Sequence, residues 1–174
     1  MCLLPWLVGS YAAAIRHLPP APNGSADRGV RLVASLLASL RRCMDTASSS
    51  GDAASWSAAV AASAAVLRAA HRCELLGAGA GVQEALSAHV ALVMGQLEQL
   101  NTPEAASACC QLVSSLSGVD VRVLEAHMQG VWHALWLGHR HDACGAESAA
   151  CDVVAAYGIR KATACIYGTA SRLP

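Results

Sequence analysis

Between Val82 and Leu100 the apolar residues Leu86, Val90, Val93, Leu97 and Leu100 recur at alternating spacings of four and three. That spacing places them on one stripe of a helix, with Gln83, Glu84, Ser87, Glu98 and Gln99 off it. Asn101 and Thr102 interrupt the pattern, and Thr102-Pro103-Glu104 restarts it. The Thr hydroxyl can cap, Pro at the first helical position gives up no needed N–H, and Glu suits the positive end of the helix dipole. The helix so begun turns Ala105, Cys109, Leu112 and Leu116 inward and is expected to stop near Gly118. Asp120 is placed to cap a third helix, with Val119 as a hydrophobic staple against Leu124. Its stripe is Val121, Leu124, Met128, Val131 and Leu135, uninterrupted, and Gly138 offers a C-terminal stop. Gly95 and Gly130 lie inside these helices, as tolerated background or as points where a neighbouring helix comes close.

The same pattern continues upstream. Pro19 to Ser25 reads as a loop, after which Asp27 can cap a helix with Val30, Val33, Leu37, Leu40 and Met44 inward. Ser48-Ser49-Ser50-Gly51 ends it. The next helix is predicted from about Asp52 to Leu76, with Trp56, Val60, Leu67 and Ala70 inward and Arg68 and Arg72 sharing an outward face. Ser35–Cys43 and Ala65–Cys73 are broadly alike thirty residues apart, as a helical-hairpin repeat or as one kind of amphipathic helix written twice. Gly77-Ala78-Gly79-Ala80-Gly81 reads as a helix–helix connection. A dinucleotide-binding loop would need a preceding strand and a different glycine spacing. Downstream, His139 to Gly145 is a polar loop, and a helix from about Ala146 to Tyr157 offers Ala150, Val153, Val154 and Tyr157 for burial. Gly158 stops it, and a short helical piece, Ile159 to Tyr167, precedes a loose tail.

Composition sharpens this to a fold class. Aromatic residues are only 4% of the chain, with no Phe, and much of the 55% apolar content is Ala. A chain rich in Ala and poor in β-branched and aromatic residues favours helix over sheet. The expected architecture is all-α. Six to seven antiparallel helices are arranged as a bundle or as a short armadillo- or HEAT-like solenoid of helical hairpins. The expected boundaries are an N-terminal apolar segment and Pro-rich loop over 1–27, a helical domain over 28–168 and a tail over 169–174. Mean hydropathy is +0.40, yet no window of about 18 strongly apolar residues stands out, so no transmembrane segment is expected.

Charge is zero overall but uneven: residues 1–76 hold seven Arg against four acids, and residues 77–158 hold two Arg against eight acids. Residues 159–174 hold three basic residues and no acid. The halves are expected to complement each other within the fold or across a dimer. An overall basic face for nucleic acid is lacking.

Candidate chemistry is sparse. His133, His139, His141 and Cys144, near His127 and Asp142, are ligand types suited to zinc, but neither C-x-x-C nor H-E-x-x-H spacing is present. The expectation is no metal and no cofactor. Eight cysteines spread through long helices read as reduced core thiols in an intracellular, reducing compartment. The alternative is secretion, to which the apolar Met1–Ala14 and the Asn23-Gly24-Ser25 sequon point. Arg41, Arg42, Arg68 and Arg72 are the candidates for a basic binding face across two helices, and Trp132 and Trp136 are expected in the core or at a helix contact. With no Walker motif and no nucleophile elbow, the reading is a non-enzymatic protein-interaction or scaffold module, as a fragment or subunit of a larger assembly. Its ligand would be a protein partner or a second copy. The alternatives are a helical-repeat RNA-binding protein and a metal-dependent activity in the His139–Cys144 loop.

Overall fold

A computed structural model describes residues 26–72, 80–119, 121–142 and 146–157. All regular structure among them is helical. The elements are α1 (Ala26–Ser50), α2 (Ala53–Arg72), α3 (Ala80–Leu100), α4 (Pro103–Val119), α5 (Val121–Ala126), α6 (Met128–Arg140) and α7 (146–157). The expected N-terminal segment and sequon, most of the Gly77–Gly81 connection, the Asp120 cap, Cys144, the 159–167 piece and the tail lie outside the described residues.

Local chemistry accounts for the boundaries. At the end of α1 the Asp52 N–H donates to Ala47 O (2.9 Å) and the Gly51 N–H to Ser48 O (3.1 Å), with Gly51 at φ +69°. This is the paired-bond helix stop that needs a left-handed residue, which Gly adopts without strain. Asp52 Oδ1 then accepts from the Ser55 N–H (3.0 Å) and starts α2, and hydrogen bonds from the Ser55 side chain, and next from its backbone, hold the carboxyl below the usual range. Thr102 Oγ1 accepts from the Ala105 N–H (3.2 Å), capping α4 as its sequence predicts. Asn101, between α3 and α4, takes φ +33°, a region that Asn tolerates better than most residues.

The predicted third helix is two helices. The His127 N–H bonds to Leu124 O, three residues back, at 3.0 Å, and the regular ladder resumes with Val131 N–H to His127 O at 3.0 Å. The break sits where the chain meets α3: His127 Nε2 lies 2.9 Å from Ser87 Oγ, and Gly130 packs against Met94. Gly138, expected as a stop, is instead buried inside α6, which runs on to Arg140. A Cβ there would lie 2.7 Å from Cys110 Sγ and 3.0 Å from Ala146 Cβ, so this glycine serves the close approach of α4 and α7.

The core is one cluster, formed by the predicted stripes. Leu86, Val90, Val93 and Leu97 of α3 and Ala105, Cys109, Leu112 and Leu116 of α4 are all buried. The most extensive helix interfaces are α2 with α4 and α1 with α2, so α2 lies between two partners. Among the described residues α2 is the one helix long and apolar enough to cross a membrane by length and composition, and 61% of that window is buried inside the fold. Its Trp56 is fully buried and donates from Nε1 to Gln96 Oε1 of α3 (2.7 Å), while Gln96 Nε2 donates to Asp45 Oδ1 of α1 (2.8 Å). One amide thus satisfies the buried indole and ties three helices together.

Candidate interaction surface

The four arginines lie on α1 and α2 and have separate surroundings. Arg41 reaches Ala85 O of α3 at 3.4 Å, and Arg42 bonds Ser39 on its own helix at 3.2 Å. Arg68 donates to Ser115 Oγ of α4 at 2.7 Å. Burial, and then the charge of Arg72, lower its affinity for its proton. Arg72 is exposed at the end of α2.

Of the candidate ligands, His133 and His139 lie on α6 and His141 just after it. The His133 ring stacks on Trp136, with centroids 6.2 Å apart, and His141 Nε2 stands 3.5 Å from Asn101 Oδ1. Among the described residues no group of three or more His, Cys, Asp or Glu is gathered as a metal would need. With Cys144 outside them, the predicted set is not assembled in view.

One titratable group escaped the sequence reading. His89 of α3 is fully buried and neither ring nitrogen has a hydrogen-bond partner. Burial, with the Arg41 charge as the smaller cause, pushes it down to about 4, so the ring is neutral at physiological pH. The signal for it was present, since residue 89 falls three after Leu86 and four before Val93 on the inward stripe.

Among the described residues the large exposed apolar side chains lie on α6 and α7. Trp132 and Trp136, expected in packed positions, are 50% and 54% exposed, and Val154 and Tyr157, expected to be available for burial, are 60% and 43% exposed. The reason is angular. Val131 and Leu135 point into the core, and the next residue on a helix is rotated by about 100°, which turns Trp132 and Trp136 toward solvent. Met128, Trp132, Trp136 and Arg140 follow at intervals of four along one edge of α6, and the Arg140 guanidinium lies 5.4 Å over the Trp136 ring. Between this edge and α7 runs an open groove of about 640 Å³, lined by Glu125, Met128, Trp132, Val153, Val154 and Tyr157. Its walls are two aromatic rings and three aliphatic or thioether side chains, and Glu125 contributes a carboxylate.

This groove can bury apolar surface. No protein-family model matches the chain, and neither the characterised proteins nor the solved structures contain one significantly similar to it.

Proposed function

We propose that the chain is a non-enzymatic helical protein-interaction module whose docking surface is the groove between α6 and α7. The observation that carries this reading is the exposure of Trp132, Val154 and Tyr157 on one groove, with exposed Trp136 one turn further along α6. Large apolar side chains gathered and left in water mark places where another molecule sits. Aromatic-lined grooves of this kind suit extended proline-containing segments, which present flat apolar rings and lose little entropy on binding. Four carboxylates and two arginines among the described residues between 121 and 157 favour a cationic segment.

The body behind this face supports a hairpin reading. α1 pairs with α2 and α3 with α4, while α1 also packs on α3 and α2 on α4. Two stacked antiparallel hairpins account for these contacts, in the manner of a short armadillo- or HEAT-type solenoid. RNA has less support, because Arg41 and Arg68 reach into neighbouring helices and the apolar face lies on the acidic half.

A random-peptide display library presented to the immobilised full chain tests the groove. The expected result is enrichment of proline-containing, cationic sequences that is lost on Trp132→Ala while the helical circular-dichroism spectrum is unchanged. Absence of enrichment, or equal enrichment on the variant, refutes the reading.

A further inference from the structure

Resting on that reading of the groove, we infer that a second copy of the chain closes it when no ligand is bound: Trp136 of each copy enters the groove of the other across a two-fold axis.

The register of the α6–α7 hairpin sets the geometry. Gly138 of α6 meets Ala146 of α7, and at the far end Met128 and Trp132 share the groove with Val153, Val154 and Tyr157. The two helices are therefore antiparallel. His133 is five residues back from Gly138 and Cys151 five on from Ala146, so with equal rise per residue these two lie level. Trp136 stands three residues to one side of that level. The groove lies on the other side, from Trp132 and Val153 to Met128 and Tyr157. A two-fold axis through the level of His133 and Cys151, in the plane of contact and across the helices, carries each position the same distance to the opposite side. Trp136 of one copy then falls on the middle of the other copy's groove, and the reverse.

One face thus carries a projection and the hollow that receives it, as a self-complementary contact requires. Trp136 is such a projection: with His133 stacked on its ring and Arg140 over it, 54% of the residue remains exposed. Charge permits the pairing. The net charge is zero, so two copies do not repel as wholes. A two-fold sets a residue against its own mate only near the axis, where any charge would meet its like. No Lys or Arg lies within two residues of His133 or Cys151, and the Asp152 carboxylate is turned inward, accepting from the Ser114 hydroxyl.

The area sets the strength. Trp132, Trp136 and Tyr157 are about half exposed, and with Val154 they offer roughly 400 Å² of side-chain surface per copy. Stable complexes bury about 800 Å² on each partner. The dimer is therefore weak and reversible, and a ligand that binds the groove more tightly displaces it.

The test is sedimentation velocity of the full chain from micromolar to near-millimolar concentration. A monomer–dimer equilibrium is expected, weakened by about tenfold or more in Trp136→Ala and, on the other helix, in Val154→Glu, with helical circular-dichroism spectra unchanged. At the high end of the range a short bis-maleimide is expected to join Cys151 to Cys151 of the second copy, and at the low end not to, as read by peptide mapping. The cross-link is read on the native chain, so it decides even if a variant loses its helical spectrum. A monomer at every concentration overturns the inference. So does a dimer that neither variant weakens, or one in which Cys151 is not joined to its mate. If the chain stays monomeric while library peptides still depend on Trp132, this inference falls and the groove reading stands. If the dimer forms as expected and no library peptide is enriched, the peptide reading falls and the second copy stands as the occupant.

Discussion

A Cβ on Gly130 would stand 2.7 Å from Met94 Cβ, closer than side chains approach one another in folded proteins. The obstructing atom is attached directly to the α3 backbone, so it has no rotamer to yield. Gly95, the next residue along α3, has nothing within 4 Å of its own Cβ position. The two glycines therefore predict opposite outcomes. Gly95→Ala is expected to raise stability by up to about 1 kcal/mol through helix propensity alone. Gly130→Ala gains the same propensity but overpacks α3 against α6, and a net loss of about 1–2 kcal/mol is expected. Urea denaturation of both variants checks this, and equal shifts of the same sign would mean that α6 stands off α3.

Leu97 is fully buried in α3, whereas Trp132 is half exposed on α6. Leu97→Ala is expected to cost about 2–5 kcal/mol, from lost transfer energy and the cavity left behind. Trp132→Ala removes a larger side chain but empties no core position, and a change under about 1 kcal/mol is expected. Thermal unfolding of the pair separates the core from the docking face.

Buried His89 makes stability depend on pH. Its folded-state value is depressed to about 4 from the ordinary 6.5, so the unfolded chain binds the proton more readily between those limits. The His89 contribution is intact above about 6.5, declines as pH falls through that window, and is fully lost below about 4, a difference of about 3 kcal/mol. His89→Leu is expected to remove this component of the slope. Denaturant midpoints of both proteins from pH 7 to 4 read it directly, and parallel curves would place the ring in contact with water.

The cysteines are predicted to divide by burial. Cys109 and Cys110 are buried, the thiol of Cys109 raised above its ordinary range and that of Cys110 to about 11, in both cases mainly by burial. Thiolate is the reacting species, so both are expected to resist an aromatic disulfide reagent at neutral pH until the chain unfolds. Cys151 is exposed on α7 and is expected to react in the native protein. Mass mapping of the modified sites gives the order.

The all-helical class and the core faces of α3 and α4 are legible because spacings of three and four leave one stripe, and both stripes are buried except for Leu100, which is partly buried at the end of α3. The Thr102 start is legible because capping depends on residues near in sequence, and the start near Asp52 because Ser48 to Gly51 breaks the preceding helix. What escaped depends on residues distant in sequence. Gly138 looks like a stop, and only the placement of Cys110 and Ala146 shows that it is a point of contact. The interruption at His127 lies inside an unbroken apolar period and coincides with contacts to Ser87 and Met94. The groove escapes the sequence because Trp132 and Trp136, one turn apart, are expected in the core or at a helix contact, although one step past Val131 and Leu135 already turns them outward. His89 was missed because a polar residue on an inward stripe was not counted with its neighbours.

The central position of α2 has a consequence for biosynthesis. Its main partners are α1, which precedes it, and α4, which ends at Val119, 47 residues after Arg72. A ribosome adding about 5–20 residues per second needs roughly 2–10 s to make that interval. Throughout it, the face of α2 destined for α4 has no mate, and from Ala53 to Leu67 that helix carries no charge. A nascent chain arrested between α2 and α4 therefore displays a twenty-residue helix apolar enough to be taken for a membrane insert, which makes it a ready substrate for chaperones that capture hydrophobic segments at the exit tunnel.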